Sequence, residues 1–163
     1  MIHKYFCTLV QKLNPVKRTS YASDKVLKEF IRTALEEDIQ NGDHSTLSTI
    51  PKDLEQKAQL LVKENCILAG VELAEIIFKY FDKNLNVEVF IKDGQPAKKG
   101  DVAFIVSGKA RSILSTERLV LNCMQRMSGI ATMTHDWDSR LVGTKTKLLD
   151  TRKTTPNFRV CEK

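Results

Sequence analysis

The stretch Lys147-Leu148-Leu149-Asp150-Thr151-Arg152-Lys153-Thr154-Thr155-Pro156 governs how the rest of this sequence is read. Lys147 to Asp150 has the pattern of a short strand and Thr151 to Thr155 that of a polar loop. Pro156 suits the first position of a helix, where a missing N–H costs nothing. Strand, polar loop and helix in that order form the repeating unit of an α/β barrel, whose active site gathers at the C-terminal ends of the strands. Arg152 can grip a carboxylate with two parallel hydrogen bonds, and Lys153 adds a compact charge. Free backbone N–H groups at the start of the next helix favour anions as well. Taken alone, the same letters describe a polar loop with a Thr cap equally well. The sequence stops at Lys163, one or two turns into that helix, so a second domain cut short is the expectation.

Working back, residues from Ala110 are helical in pattern for about thirty positions, with a break expected at Ser128-Gly129. Its apolar positions include Ile113, Leu114, Val120, Leu121, Met124 and Met127. Arg118, Asn122, Gln125 and Arg126 fall at i, i+4, i+7 and i+8 on one polar stripe that holds no carboxylate. Solvated helix faces usually mix Glu with Lys, because i,i+4 pairing favours it. A donor-rich stripe without acid is better suited to an anion, although a plain solvated face is the ordinary alternative.

Residues 24–109 read as an α+β unit, a small sheet with helices on one face. Val26, Leu27, Phe30, Ile31, Leu35 and Ile39 make a helical stripe, with Ser23 as N-cap and Gly42 able to end it. Ala58, Leu60 and Val62 alternate with Lys57, Gln59 and Lys63 as in a strand. Gly70 opens a short amphipathic helix carrying Leu73, Ile77, Phe78 and Phe81. Two further strands are expected, one on Leu85, Val87, Val89 and Ile91 and one from Val102 to Val106, the second apolar throughout as in a covered strand. Asp93-Gly94 and Gly100-Asp101 mark turns.

The composition, 42% hydrophobic and 28% charged, is that of a globular protein. The formal net charge is +6, and Lys4, Lys12, Lys17 and Arg18 in the acid-free leader 1–23 carry four of those charges. Nucleic-acid binding is therefore not expected, since it calls for a basic stripe on the folded part. The leader has one Arg and an interrupting Pro15, a poor transit peptide, and reads as a loosely ordered extension. No run approaches the ~20 apolar residues of a membrane span. Cys7, Cys66, Cys123 and Cys161 form no C-x-x-C pair, so reduced thiols in a cytoplasmic protein are expected, without structural zinc.

Two runs carry a specific resemblance. Glu117-Arg118-Leu119-Val120-Leu121-Asn122, followed by Gln125-Arg126-Met127-Ser128-Gly129-Ile130-Ala131-Thr132, resembles the "ER-x-x-LN-x-x-QR-x-SGIAT" signature of quinolinate phosphoribosyltransferases. Asp150 to Pro156 matches that family's "DTRKTTP", and Arg159, Glu162 and Lys163 fit its continuation. Glu37-Asp38, Gly42-Asp43, Lys63-Glu64, Leu68-Ala69-Gly70, Asp93-Gly94 and Lys99-Gly100-Asp101 fall in order upstream. Asn157 and Cys161 stand where the family commonly has Gly and Leu.

The resemblance implies an α+β N-terminal domain (24–109), then linking helices and the start of an incomplete α/β barrel (110–163). It implies a homodimer that joins quinolinate to phosphoribosyl pyrophosphate with magnesium, giving nicotinate mononucleotide, pyrophosphate and carbon dioxide on the way to NAD. Thr151, Arg152 and Lys153 would hold the quinolinate carboxylates and the anionic co-substrate, with Lys153 as the catalytic cation. Arg118 would reach into the neighbouring subunit's site. The metal ligands and remaining cationic contacts would lie on later barrel strands, so the chain alone is expected to be inactive. Two other readings accompany this one. The scaffold also suits a molybdenum-associated homologue with another substrate, or a non-catalytic dimerisation fragment. A lipoyl- or biotinyl-carrier module, which the turn chemistry resembles, lacks its exposed Lys at a hairpin tip.

Overall fold

The computed structural model describes residues 22–163, so Cys7 and nearly all of the basic leader lie outside the described residues. Helix α1 (Asp24–Ile39) is followed by the short α2 (His44–Thr49), strand β1 (Glu55–Leu61) and the two-residue β2 (Cys66–Ile67). Helix α3 (Val71–Phe81), β3 (Asn86–Val89), β4 (Pro96–Ala97) and β5 (Val102–Lys109) complete the sheet region. Helix α4 (Ala110–Leu141) and the four-residue α5 (Arg159–Glu162) finish the described chain.

Strand β5 is central. It pairs antiparallel with β1 on one side and β3 on the other, giving the order β1-β5-β3. Its apolar run explains the position: Ala103, Phe104 and Val106 are buried, and on the face of Phe104 and Val106 the flanking strands set Leu60 and Val89 opposite Phe104 and Val87 opposite Val106. Phe104 meets Phe78 of α3 edge to face at 6.0 Å, and Ile31, Ile77, Val120 and Cys123 from the three long helices are fully enclosed behind them. The α+β reading holds. Ala58, expected on the covered face, is exposed, because the helices cover only part of β1.

Four local expectations are corrected. Helix α4 runs unbroken through Ser128-Gly129 for 32 residues. The Ser128 hydroxyl is engaged by the backbone of Ala69, accepting from its N–H at 3.0 Å and donating to its carbonyl at 3.1 Å, so it does not compete with the helix ladder. Lys147 to Asp150 is not a strand; it is exposed, irregular backbone with no neighbouring strand to pair with among the described residues. No barrel strand is therefore formed here. Pro156 is not a first helical residue either. It occupies a turn closed by Phe158 N–H to the Thr155 carbonyl at 3.1 Å, with Asn157 at φ +62°. That is the type II geometry, in which Pro favours the second position and a residue tolerant of positive φ the third. Helix α1 ends at Ile39 with Gln40, before Gly42, taking a positive φ; Ser23 does stand at the N-cap as expected, its carbonyl accepting from Leu27 N–H at 2.9 Å, although its hydroxyl makes no capping bond.

Candidate functional site

The N-terminal half of α4 is buried on one side through Ile113, Thr116, Leu119, Val120, Cys123 and Met124. Its opposite side carries the polar stripe, so the stripe faces outward as its spacing required. Leu114 and Leu121, two of the helix's apolar positions, lie on this outer side at 40% and 43% exposure, one turn either side of Arg118.

The two ends of the stripe meet different neighbours. Arg118 forms an ion pair with Asp38 of α1 at 2.6 Å while its own side chain stays 72% exposed. Eight residues on, about 12 Å along the axis, Arg126 pairs with Glu162 of α5 at 2.6 Å and touches the Thr155 hydroxyl at 3.4 Å. Asn122, Gln125, Arg126 and Gly129 of α4 face Thr155, Phe158 and Glu162 across a cleft of about 640 Å³. The structure thus brings the lower stripe to the Asp150–Pro156 loop and leaves Arg118 apart from it.

Four contacts hold the far wall of this cleft. Phe158 packs edge to face on Phe30 at 5.7 Å, and the Cys161 sulfur lies 3.8 Å from that of Cys123, both buried. Lys163 pairs with Asp150, whose carboxyl it holds below the ordinary range. Glu162 accepts from the Thr155 N–H at 2.7 Å and the Thr155 hydroxyl at 2.8 Å, and these bonds, with Arg126 after them, keep its carboxyl low as well. Within the loop, the Thr151 hydroxyl accepts from Lys153 N–H at 2.9 Å. The side chains of Arg152 and Lys153 are exposed and make no ion pair or hydrogen bond among the described residues. Two unneutralised cations stand beside two neutralised acids, which is a local surface for an anion.

Sequence reading missed the acids that organise the site. Asp38 and Glu162 were visible only as letters in a motif, since nothing in spacing pairs residue 38 with 118 or 126 with 162. Several other motif residues are architectural. Asp93 accepts from the N–H groups of Val71 and Glu72 at 2.8 and 3.0 Å, capping α3 where Gly70 turns at φ +98°. Thr132 accepts from Ile67 N–H at 2.9 Å and, with Ser128, fixes α4 to the β2 segment. Asp43 caps α2 through Thr46 N–H at 3.1 Å and accepts from Ser115 at 3.2 Å; the Thr46 bonds lower its carboxyl most.

Among the described residues no group of three or more His, Cys, Asp or Glu side chains is placed to hold a metal ion. No step is assigned to magnesium through the described residues. No helix among the described residues is long and apolar enough to cross a membrane.

The family model for the quinolinate phosphoribosyl transferase N-terminal domain matches residues 43–128, more than half of the chain. This chain belongs to the quinolinate phosphoribosyltransferase family. The C-terminal domain model of the same family matches residues 130–163. Among curated quinolinate phosphoribosyltransferases, the mitochondrial 2b enzyme of Nicotiana tabacum is 45% identical over 138 residues, spanning 84% of this chain and 39% of its own length. The chloroplastic nicotinate-nucleotide pyrophosphorylase of Oryza sativa subsp. japonica is 46% identical, with 84% and 37% covered. The solved nicotinate-nucleotide pyrophosphorylase of Francisella tularensis superposes with TM-score 0.80 at 32% identity, over 93% of this chain and 52% of that one. NadC from Streptococcus pyogenes gives 0.79 at 34% identity, over 85% and 50%. The chain thus spans about two fifths of these plant relatives and about half of the solved structures.

Proposed function

We propose that this chain supplies part of the site for transfer of phosphoribose from phosphoribosyl pyrophosphate to quinolinate. Decarboxylation follows, giving nicotinate mononucleotide, pyrophosphate and carbon dioxide for NAD synthesis. The observation that carries this reading is the pair Arg152 and Lys153. Both are exposed and unpaired, within a family-matched segment, three and two residues before Thr155, which lines the cleft.

A dianionic ring must approach a sugar bearing several phosphate charges, so the site needs cations that the protein has not already neutralised. Arg152 suits a planar carboxylate and Lys153 the developing charge on the departing pyrophosphate. Thr151, whose hydroxyl orders the Lys153 backbone, completes the group. After transfer, loss of carbon dioxide leaves a carbanion beside a cationic ring nitrogen, which stabilises it internally. The reaction needs no side-chain nucleophile, and positioning with electrostatics accounts for the chemistry.

In this reading the working form is a homodimer, with Arg118 donated to the partner's site. The 72% exposure of Arg118 and the exposed Leu114 and Leu121 beside it support an interface there, since apolar residues flanking a charged anchor are what an interface covers. The cellular setting is a reducing one, the cytoplasm, in which Cys66, Cys123 and Cys161 stay free.

The test is calorimetry with pyridine-2,3-dicarboxylate, with and without phosphoribosyl pyrophosphate, on this chain. A chimera joining residues 24–163 to the remaining half of the Francisella tularensis relative extends it to product formation. The chimera should form nicotinate mononucleotide, and Arg152→Ala should remove about 2–3 kcal/mol of transition-state stabilisation, the scale of a lost charged hydrogen bond. An unaltered rate in Arg152→Ala takes Arg152 out of the mechanism.

A further inference from the structure

Glu162 is an acid in a place where an acid is costly. It lies at the wall of a cleft proposed to receive a dianion, and its side chain is only 7% exposed. Its carboxylate is fully engaged. One oxygen accepts from the Thr155 N–H at 2.7 Å. The other accepts from the Thr155 hydroxyl at 2.8 Å and from Arg126 Nε and Nη2 at 2.9 and 2.6 Å. Three separate parts of the chain, α4, the Asp150–Pro156 loop and α5, therefore converge on one side chain.

Arg126 is spent on Glu162, and Lys163 on Asp150. Each pair is close to neutral, so neither acid repels an anion, and Arg152 and Lys153 remain as free positive charge on the segment. A flexible loop bearing two cations would have to be ordered at the moment of binding, at an entropic cost that weakens affinity. The Thr155 backbone bond to Glu162 ties the C-terminal end of that loop down beforehand. The Pro156-Asn157 turn returns the chain so that residue 162 reaches residue 155.

We propose that Glu162, braced by Arg126, is a positioning residue that holds the Thr151–Thr155 segment ready over the α4 cleft so that Arg152 and Lys153 meet an anionic ligand. It rests on the reading of Arg152 and Lys153 given above. Arg126 in this assignment braces the carboxylate and is not itself a ligand contact.

The experiment uses the 163-residue chain as wild type, Glu162→Gln, Arg126→Gln, Arg126→Lys and Thr155→Val. Amide hydrogen exchange is followed across residues 151–155, and calorimetric affinity is measured for quinolinate and for inorganic pyrophosphate. Glu162→Gln and Arg126→Gln should each speed exchange in 151–155, leave β5 protected, and weaken anion affinity about tenfold or more. Arg126→Lys should recover most of that loss, because the charge is restored. Thr155→Val, an exposed position where the hydroxyl's bonds to Glu162 and Arg126 are lost while the backbone bond to Glu162 stays, should fall between. Faster exchange with unchanged affinity overturns the proposal, since Glu162 would then be a structural brace only. Unchanged exchange in Glu162→Gln overturns it too, as does a wild-type chain that binds neither anion. A wild-type chain that binds pyrophosphate and not quinolinate removes the substrate reading, and the pyrophosphate series alone then decides the role of Glu162.

Discussion

Gly129 lies inside α4 with its surface exposed, and a Cβ added there would meet no atom within 4 Å. A glycine inside a helix costs about 0.5–1 kcal/mol relative to alanine, mostly through backbone entropy. Gly129→Ala should therefore stabilise the chain by about that amount, worth roughly 1–4 °C for a protein of this size. Gly70 makes the opposite case. It turns at φ +98°, and a Cβ would approach Met127 Sδ at 3.0 Å, Met124 Cγ at 3.1 Å and Met124 Cα at 3.2 Å. A positive φ costs an L-residue about 1–2 kcal/mol, and overpacking against a helix backbone adds about 1–3 kcal/mol. Gly70→Ala should lose roughly 2–5 kcal/mol on those two counts. Urea titration of both variants checks this, with the slope unchanged and the midpoints moving in opposite directions. A Gly129→Ala chain less stable than wild type, or a Gly70→Ala chain equal to it, would refute the packing described here. Gly129 also lines the cleft. The more stable Gly129→Ala chain should bind quinolinate more weakly, the usual trade of stability against function.

Asp93→Ala removes the acceptor for two N–H groups at the start of α3 and should cost about 1 kcal/mol, read from the urea midpoint. Phe104→Ala, at the centre of the core, should cost about 3–5 kcal/mol in the same assay. Asp43, Asp82, Asp150 and Glu162 have carboxyls held below their ordinary values, Asp82 chiefly by the Asn84 backbone N–H and then by Ser112. Lowered folded-state values mean that their contribution is complete above the unfolded carboxylate range of about 3.9–4.3. It is lost as pH falls through the lower folded values. Denaturation midpoints should be flat from pH 7 to about 5 and decline below about 4; a chain equally stable at pH 2.5 contradicts this. Cys123 and Cys161 are buried, and their mutual contact with burial pushes the Cys161 thiol up, so neither should react with a disulfide reagent until the chain is unfolded.

Periodicity carried most of the fold, because burial imposes it directly. The run Val102 to Val106 announced a covered strand and became the centre of the sheet, and the α4 stripe emerged on the solvent side. Legibility failed where a residue's role depends on a distant partner. Ser128-Gly129 has the composition of a helix break, yet the Ser128 hydroxyl is occupied by Ala69, 59 positions away, and the helix continues. Lys147 to Asp150 has the composition of a strand, but a strand exists only with a neighbour to complete its hydrogen bonds, and none pairs with it among the described residues. The same dependence sorts the family motifs. Asp93, Ser128 and Thr132 spend their polar atoms on backbone groups of this chain, so their identity is explained by the fold. Arg152 and Lys153 spend theirs on nothing in it. Extended cationic side chains lose rotamer freedom when they bind, and an internal contact would gain stability that these two forgo. In the function proposed above these two side chains, next to acids already neutralised by Arg126 and Lys163, are the ones that meet a ligand from outside.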